Sequence, residues 1–197
     1  MPAIWNFVTD FGDSAVTVPL ALVTLVFLVA AGQRRITLGW VLAIGGCAIA
    51  IGALKLVFGA CGPRFSILDI ASPSGHTAMS TAVYGALALL IGARVSASRR
   101  YALYAVAAVA VVGITLSRVA LHDHTPAEIA LGFVVGAGAV AAFRALLGHH
   151  QAPALPLGWL LLCGGGLVAV MHGTRWMIEP AVHRIAWDFR LALPWCR

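Results

Sequence analysis

Six long apolar stretches, at roughly 14–31, 36–58, 74–93, 101–118, 126–147 and 156–173, decide what this chain can become. Each approaches the ~20 residues that cross a bilayer core as a helix. Turn and polar signals separate them: Gln33-Arg34-Arg35, Gly62-Pro63, Ser98-Arg99-Arg100, Asp123-His124-Thr125-Pro126, and the run from Gly148 to Pro156. The stretches lack the alternation of barrel strands. In lipid every backbone polar group must be paired within the protein, so helices remain. The predicted fold is all-α: a polytopic membrane protein, a six-transmembrane-helix bundle, forming a single domain over residues 1–197. Residues 1–13 read as an interfacial N-terminal segment and 174–197 as a C-terminal extracytoplasmic tail.

Composition agrees with lipid as the solvent. The chain is 61% hydrophobic and 10% charged, against roughly a quarter charged in soluble domains. Met1 to Asp13 holds two acids and no basic residue, which argues against a cleaved signal peptide with its cationic start. A net charge of +6 could suggest nucleic acid, but no basic run or nucleic-acid module accompanies it, and loop arginines are ordinary in membrane proteins. Cys47 and Cys163 lie inside apolar stretches and read as small core residues; no CxxC pair is present.

Counting faces by alternation puts Arg34, Arg35, Arg94, Arg99, Arg100 and Arg144 on one side without an acid. The other side carries all seven acids, both termini, Lys55, Arg64, Arg118 and the tail arginines. Short, purely basic loops mark the cytoplasmic face. The acidic side is therefore expected outside the cytoplasm. Cys61 and Cys196 both fall there, where a disulfide between them can persist. The tail mixes Trp176, Trp187 and Trp195 with arginines, a composition that suits the headgroup level.

Three clusters converge on that outer side. Lys55, the only lysine, stands near the end of the second stretch, where a charge costs less than the ~2.5–3.5 kcal/mol of a helix centre. Alone it would be a snorkelling interface marker. With Arg64 after a Gly-Pro turn, it gives a point cation and a planar fork suited to phosphate. Pro73-Ser74-Gly75-His76 opens the third stretch. Ser74 can cap the helix, Gly75 permits close approach, and the free amides of the first turn point at an anion. It could be a plain helix start, but His76 beside the glycine can also donate a proton to a leaving oxygen.

Ser117-Arg118 closes the fourth stretch, and His124 and Glu128 follow. On one helix face, Glu128 would orient the imidazole of His124 and sharpen it as a nucleophile. Thr125-Pro126-Ala127-Glu128 also reads as a plain capping box. A zinc set of His122, His124 and Glu128 is the other option. It ranks below phosphate, because it gives Lys55, Arg64 and Arg118 no role and sets cations beside a metal.

On these residues the chain resembles the type 2 phosphatidic-acid phosphatase family of membrane lipid phosphatases. That family carries Lys-x6-Arg-Pro, Pro-Ser-Gly-His and Ser-Arg-x5-His-x3-Asp. The second motif is intact at Pro73 to His76; the third has Glu128 in place of Asp; the first has Gly62-Pro63 where Arg-Pro is expected, with Arg64 next. The resemblance implies that His124 attacks phosphorus to form a phosphohistidine. Glu128 would hold His124, and His76 would protonate the leaving oxygen and then activate water. Lys55, Ser74, the Gly75 amide and Arg118 would bind the phosphoryl oxygens, with Arg64 replacing the displaced arginine. No cofactor or metal is implied, since cations and amides stabilise the charge.

The implied partner is a lipid phosphate in a bacterial inner membrane, its site facing the periplasm or exterior. Undecaprenyl diphosphate, phosphatidate, phosphatidylglycerol phosphate and lipid A phosphate are the implied substrates. A phosphotransferase would use the same half-reaction. A proton-coupled transporter, with Lys55 and the histidines as relay, is the alternative of another class. It is weakened by the lack of an inverted repeat.

Overall fold

A computed structural model describes residues 2–61, 70–148, 155–176 and 178–192. Its helices are α1 (Pro2–Asp10), α2 (Ser14–Ala30), α3 (Arg34–Trp40), α4 (Gly46–Cys61), α5 (Gly75–Gly92), α6 (Ala97–Ala120), α7 (Pro126–Leu147), α8 (Leu157–Met171) and α9 (Ile178–Ala192). A π-turn at Val41–Gly45 joins α3 to α4, so that Arg34–Cys61 is one continuous helical rod. No strand occurs among the described residues.

Helices occupy all six expected stretches. Four segments among the described residues are long and apolar enough to cross a membrane: Ala3–Ala30, Arg34–Cys61, Ala97–Ala120 and Pro126–Leu147. α8 is apolar but shorter. α5 is enclosed, packing on α7, α6, α2 and α4. Burial explains why it carries hydroxyls that a lipid-facing helix would not. Thr81 Oγ1 donates to the Thr77 carbonyl at 2.7 Å and Ser80 Oγ to the same carbonyl at 3.3 Å, which satisfies them inside the helix. α6 begins earlier than expected: Ser98, Arg99 and Arg100 form its first turn instead of a linker, and Arg100 Nε donates to the Gly92 carbonyl at the end of α5 (3.0 Å).

Small residues on α7 set the closeness of α5. A Cβ on Gly132 would lie 2.5 Å from the Ser74 carbonyl oxygen, and one on Gly136 2.5 Å from that of Ala78. These two glycines sit one turn apart on one face, the spacing that lets membrane helices touch backbone to backbone. The contact seats the start of α5 against the start of α7. A core of Leu20, Leu28, Trp40, Val83, Leu90 and Phe143 fills the other half of the bundle. Within it Trp40 Nε1 donates to the Ala21 carbonyl at 3.1 Å and meets Phe143 edge to face.

The two terminal segments also lie against the bundle. α1 packs on α6 and α9 on α4. Gly59 admits α9: a Cβ there would fall 2.8 Å from the Cβ of buried Ala186. Cys47 and Cys163 are free thiols, and Cys61, at the end of α4, is disulfide-bonded. Cys196, its expected partner, lies outside the described residues.

Overpacking the α5–α7 contact should be costly. Gly136→Val is expected to destabilise the protein by about 1–3 kcal/mol, read as a lowered unfolding midpoint in detergent. Gly138→Ala, where a Cβ meets nothing within 4 Å, should not lower it.

Candidate active site

The ends of α4 and α6 and the starts of α5 and α7 meet at one end of the bundle, around a cavity of about 690 Å³. Lys55, Gly75, His76, Arg118, His124 and Glu128 line it. Of the expected residues, Ser74 stands behind this wall. It is wholly buried, and its hydroxyl caps α5 by accepting from the Thr77 amide at 3.4 Å and the Thr77 hydroxyl at 3.1 Å. Arg64 lies outside the described residues.

Glu128 organises one wall. It closes a capping box with Thr125, whose hydroxyl accepts from the Glu128 amide while Glu128 Oε2 accepts from the Thr125 amide (3.2 Å). The same Oε2 accepts from His124 Nδ1 at 2.8 Å. Oε1 accepts from the amides of Ala71 and Ser72 at 2.8 and 2.6 Å. Glu128 therefore both caps α7 and bonds His124, although His124 itself precedes the helix. Glu128 is only 4% exposed, and its four donors explain how a charge is kept there. Because the carboxylate can only accept, His124 Nδ1 must donate. The lone pair of the neutral ring is therefore on Nε2.

Burial, with the positive charges of Arg118 and Lys55, pushes the His124 imidazole below its ordinary pKa of 6.5, against the pull of Glu128. The ring is thus held in its neutral, nucleophilic form over more of the acid range.

The spacing from Arg118 to His124 has a backbone cause. α6 ends in a Schellman turn: the His122 amide donates to the Val119 carbonyl at 2.9 Å and the Asp123 amide to the Arg118 carbonyl at 3.0 Å. His122 occupies the left-handed position of that turn (φ 59°). The His124 amide reaches the same Arg118 carbonyl at 3.3 Å, so both side chains hang from one point. Arg118 Nη1 is held by Thr9 Oγ1 and Asp123 Oδ2, each at 3.0 Å. His122 and Asp123 thus have turn and ion-pair roles. Among the described residues no three His, Cys, Asp or Glu side chains are placed to hold a metal ion.

Lys55 is buried, and its ammonium reaches the hydroxyl of the same Ser72, at 3.4 Å. A Cβ on Gly75 would lie 3.3 Å from Lys55 Cε, which is why a glycine suits this turn. His76 Nε2 lies 3.5 Å from Asp13 Oδ2, at the break between α1 and α2. Asp13 was not legible as a site residue in the sequence. Neither was Thr9, which steadies Arg118, nor Arg175, which reaches the cavity from beyond α8 and pairs with Asp10 at 2.9 Å. Their only sequence signal was acids and an arginine on the expected outer face.

Fold and cavity together define a helical membrane protein with a cationic, imidazole-bearing cavity at one end of its bundle. Its family follows from comparison: the profile of the PAP2 superfamily matches residues 36–152, and the chain belongs to that superfamily. Its members are phosphatases, which supports a hydrolase at the general level. An uncharacterized 22.5 kDa protein in the cps region of Klebsiella pneumoniae is 31% identical over 143 residues, covering 72% of this chain and 68% of that protein. No solved structure matches the chain.

Glu128→Gln should cost stability as well as activity. An amide keeps one accepting oxygen but turns an NH2 toward donors, so the loss is expected to be at least one charged hydrogen bond, about 1.5–3 kcal/mol. Chemical unfolding of the detergent-solubilised variant measures it.

Proposed function

We propose that the chain is an integral-membrane lipid phosphate or diphosphate phosphatase working through a phosphohistidine. The observation that carries this is the His124–Glu128 pair: Nδ1 tied at 2.8 Å leaves the Nε2 lone pair as the nucleophile, in a cavity that also holds Lys55, Arg118 and His76.

In the first step His124 Nε2 bonds to phosphorus, the P–O bond to the lipid breaks, and His76 gives a proton to the departing oxygen. Lys55, Arg118 and the Gly75 amide face the phosphoryl oxygens as charge builds on them. In the second step His76 takes a proton from water, the water oxygen bonds to phosphorus, and the P–N bond breaks to release phosphate. Glu128 balances the imidazolium charge that His124 carries while phosphorylated. Ser74 acts through its cap, which fixes the direction of the Gly75 amide, and Arg64 is the expected further cation.

The cavity supports a lipid as substrate because Val18, Ala48, Ile51 and Met79 line it together with the charged side chains. Substrates of the stated class are undecaprenyl diphosphate, phosphatidate, phosphatidylglycerol phosphate and lipid A phosphate. We place the cavity at the extracytoplasmic side of a six-span bundle in a bacterial inner membrane. The opposite end carries Arg34, Arg94, Arg100 and Arg144, in keeping with a cytoplasmic face. The expected Cys61–Cys196 disulfide belongs to this proposal, since it requires an oxidising compartment.

Two measurements test the reading. His124→Ala and His76→Ala should each abolish phosphate release from a panel of lipid phosphates while remaining extractable and folded; retained turnover in a purified His124→Ala protein would refute it. Assay in EDTA separates it from a metal hydrolase, and phosphate release by purified protein separates it from a carrier. Separately, kcat/KM should fall as acid protonates His124. Since that pKa is lowered, the acid limb is expected below pH 6.5, and a limb above it would contradict the assignment.

A further inference from the structure

We propose that Asp13 is the positioning residue for His76, so that the cavity works with two carboxylate–imidazole pairs; this rests on the phosphohistidine reading above. The carboxylate divides its two oxygens. Oδ1 accepts from the Ala15 amide at 2.8 Å, capping α2, and from the Trp176 amide at 3.3 Å, which ties in the segment between α8 and α9. Oδ2 is turned to His76 Nε2 at 3.5 Å. Asp13 is 6% exposed and lines the cavity.

Packing makes the approach specific. Gly12 lies against the backbone side of His76, and a Cβ there would stand 3.5 Å from the His76 Cβ and 2.5 Å from Ile114 Cγ2. A larger residue would press on the Ile114 side chain beside that contact. The two amides on Oδ1 fix the carboxylate plane, so Oδ2 cannot swing away without uncapping α2.

The chemistry assigns the nitrogens. With the Asp13 carboxylate facing it, Nε2 keeps its proton, and Nδ1 is the atom that exchanges protons with the reacting groups. In the first step Nδ1–H gives its proton to the lipid oxygen as the P–O bond breaks and the His124 N–P bond forms. In the second, Nδ1 takes a proton from the water whose oxygen bonds to phosphorus as the N–P bond breaks. Asp13 gains and loses no proton. It holds the ring's tautomer and balances the charge of the doubly protonated imidazole that begins and ends the cycle.

Asp13→Asn keeps the cap, since an amide oxygen can still accept from Ala15 and Trp176. It then presents an NH2 group to His76 Nε2, a donor that favours the wrong tautomer. With detergent-dispersed phosphatidate, kcat should fall by about 10²-fold with KM little changed, the scale of one general acid–base contribution. With p-nitrophenyl phosphate, whose phenolate leaves without a proton, the first step should survive and the second should not. The variant should then release a burst of nitrophenolate stoichiometric with enzyme, and acid-labile phosphohistidine should accumulate on it. Asp13→Ser, which caps but lacks the second oxygen, should show the same burst and serves if the asparagine variant does not fold. Wild-type kcat in either folded variant, or a raised KM at unchanged kcat, overturns the proposal. His124→Ala run alongside separates the two failures: turnover in that variant would sink the phosphohistidine reading itself, whereas an inactive His124→Ala beside a fully active Asp13→Asn would sink only the role of Asp13.

Discussion

One buried carboxylate ties the cavity together. Glu128 accepts from four donors drawn from three places: its own helix cap, the imidazole of His124, and the backbone at Ala71 and Ser72 that leads into α5. A carboxylate this deep would be untenable without partners, because a lost donor leaves charge uncompensated away from water. Its cost is therefore what enforces the geometry. The start of α7, the approach to α5 and the imidazole cannot move independently, and the Ser74 amide completes the lock by donating to the Glu128 carbonyl at 3.1 Å. The length of the glutamate side chain lets it serve the Thr125 cap and the 71–72 backbone at once.

Two of the cavity's cations have a carboxylate beside them. Arg118 faces Asp123, Arg175 faces Asp10, and His76 faces Asp13, while Lys55 rests on the Ser72 hydroxyl. These pairs differ in worth. Asp123 is 43% exposed and its pairing is a weak, screened one, easily exchanged for a stronger anion. A dianionic phosphate entering beside Arg118 would give bidentate contacts that Asp123, through a single nitrogen, does not. The charged groups of the cavity thus differ in how firmly they are held: the exposed Asp123 can exchange for a stronger anion, whereas Glu128 is fixed by four donors.

How much of this was visible in the sequence follows the range of each interaction. Helix positions, the α5 cap, the α7 capping box and the His124–Glu128 contact are local, and the apolar runs and motif spacings gave them. The Schellman turn behind the Arg118–His124 spacing was not expected, because it places histidine where glycine is usual. The start of α6 was misread as a linker, since Arg99 and Arg100 look like loop residues until Arg100 is seen to serve the last carbonyls of α5. Thr9, Asp13 and Arg175 escaped altogether. Their partners are distant in the chain, and only packing of α1 on α6 and of the α8–α9 junction on Asp13 brings them in.

That division of range matches a division of labour between the imidazoles. His124 is pinned at 2.8 Å by a residue four positions away, with both side chains under 10% exposed. His76 sits at 3.5 Å from its carboxylate and keeps 20% of its side chain exposed. In the proposed reaction these are different requirements. A nucleophile gains from a fixed line of attack, since misplacement by an ångström costs orders of magnitude in rate. An acid that becomes a base must serve the leaving lipid oxygen first and an incoming water second, both on the side of phosphorus opposite His124. A short local bond suits the first task. A longer contact, from a segment that is itself held at two amides, suits the second, because it keeps the ring aimed at that one side while the group it serves changes from lipid oxygen to water.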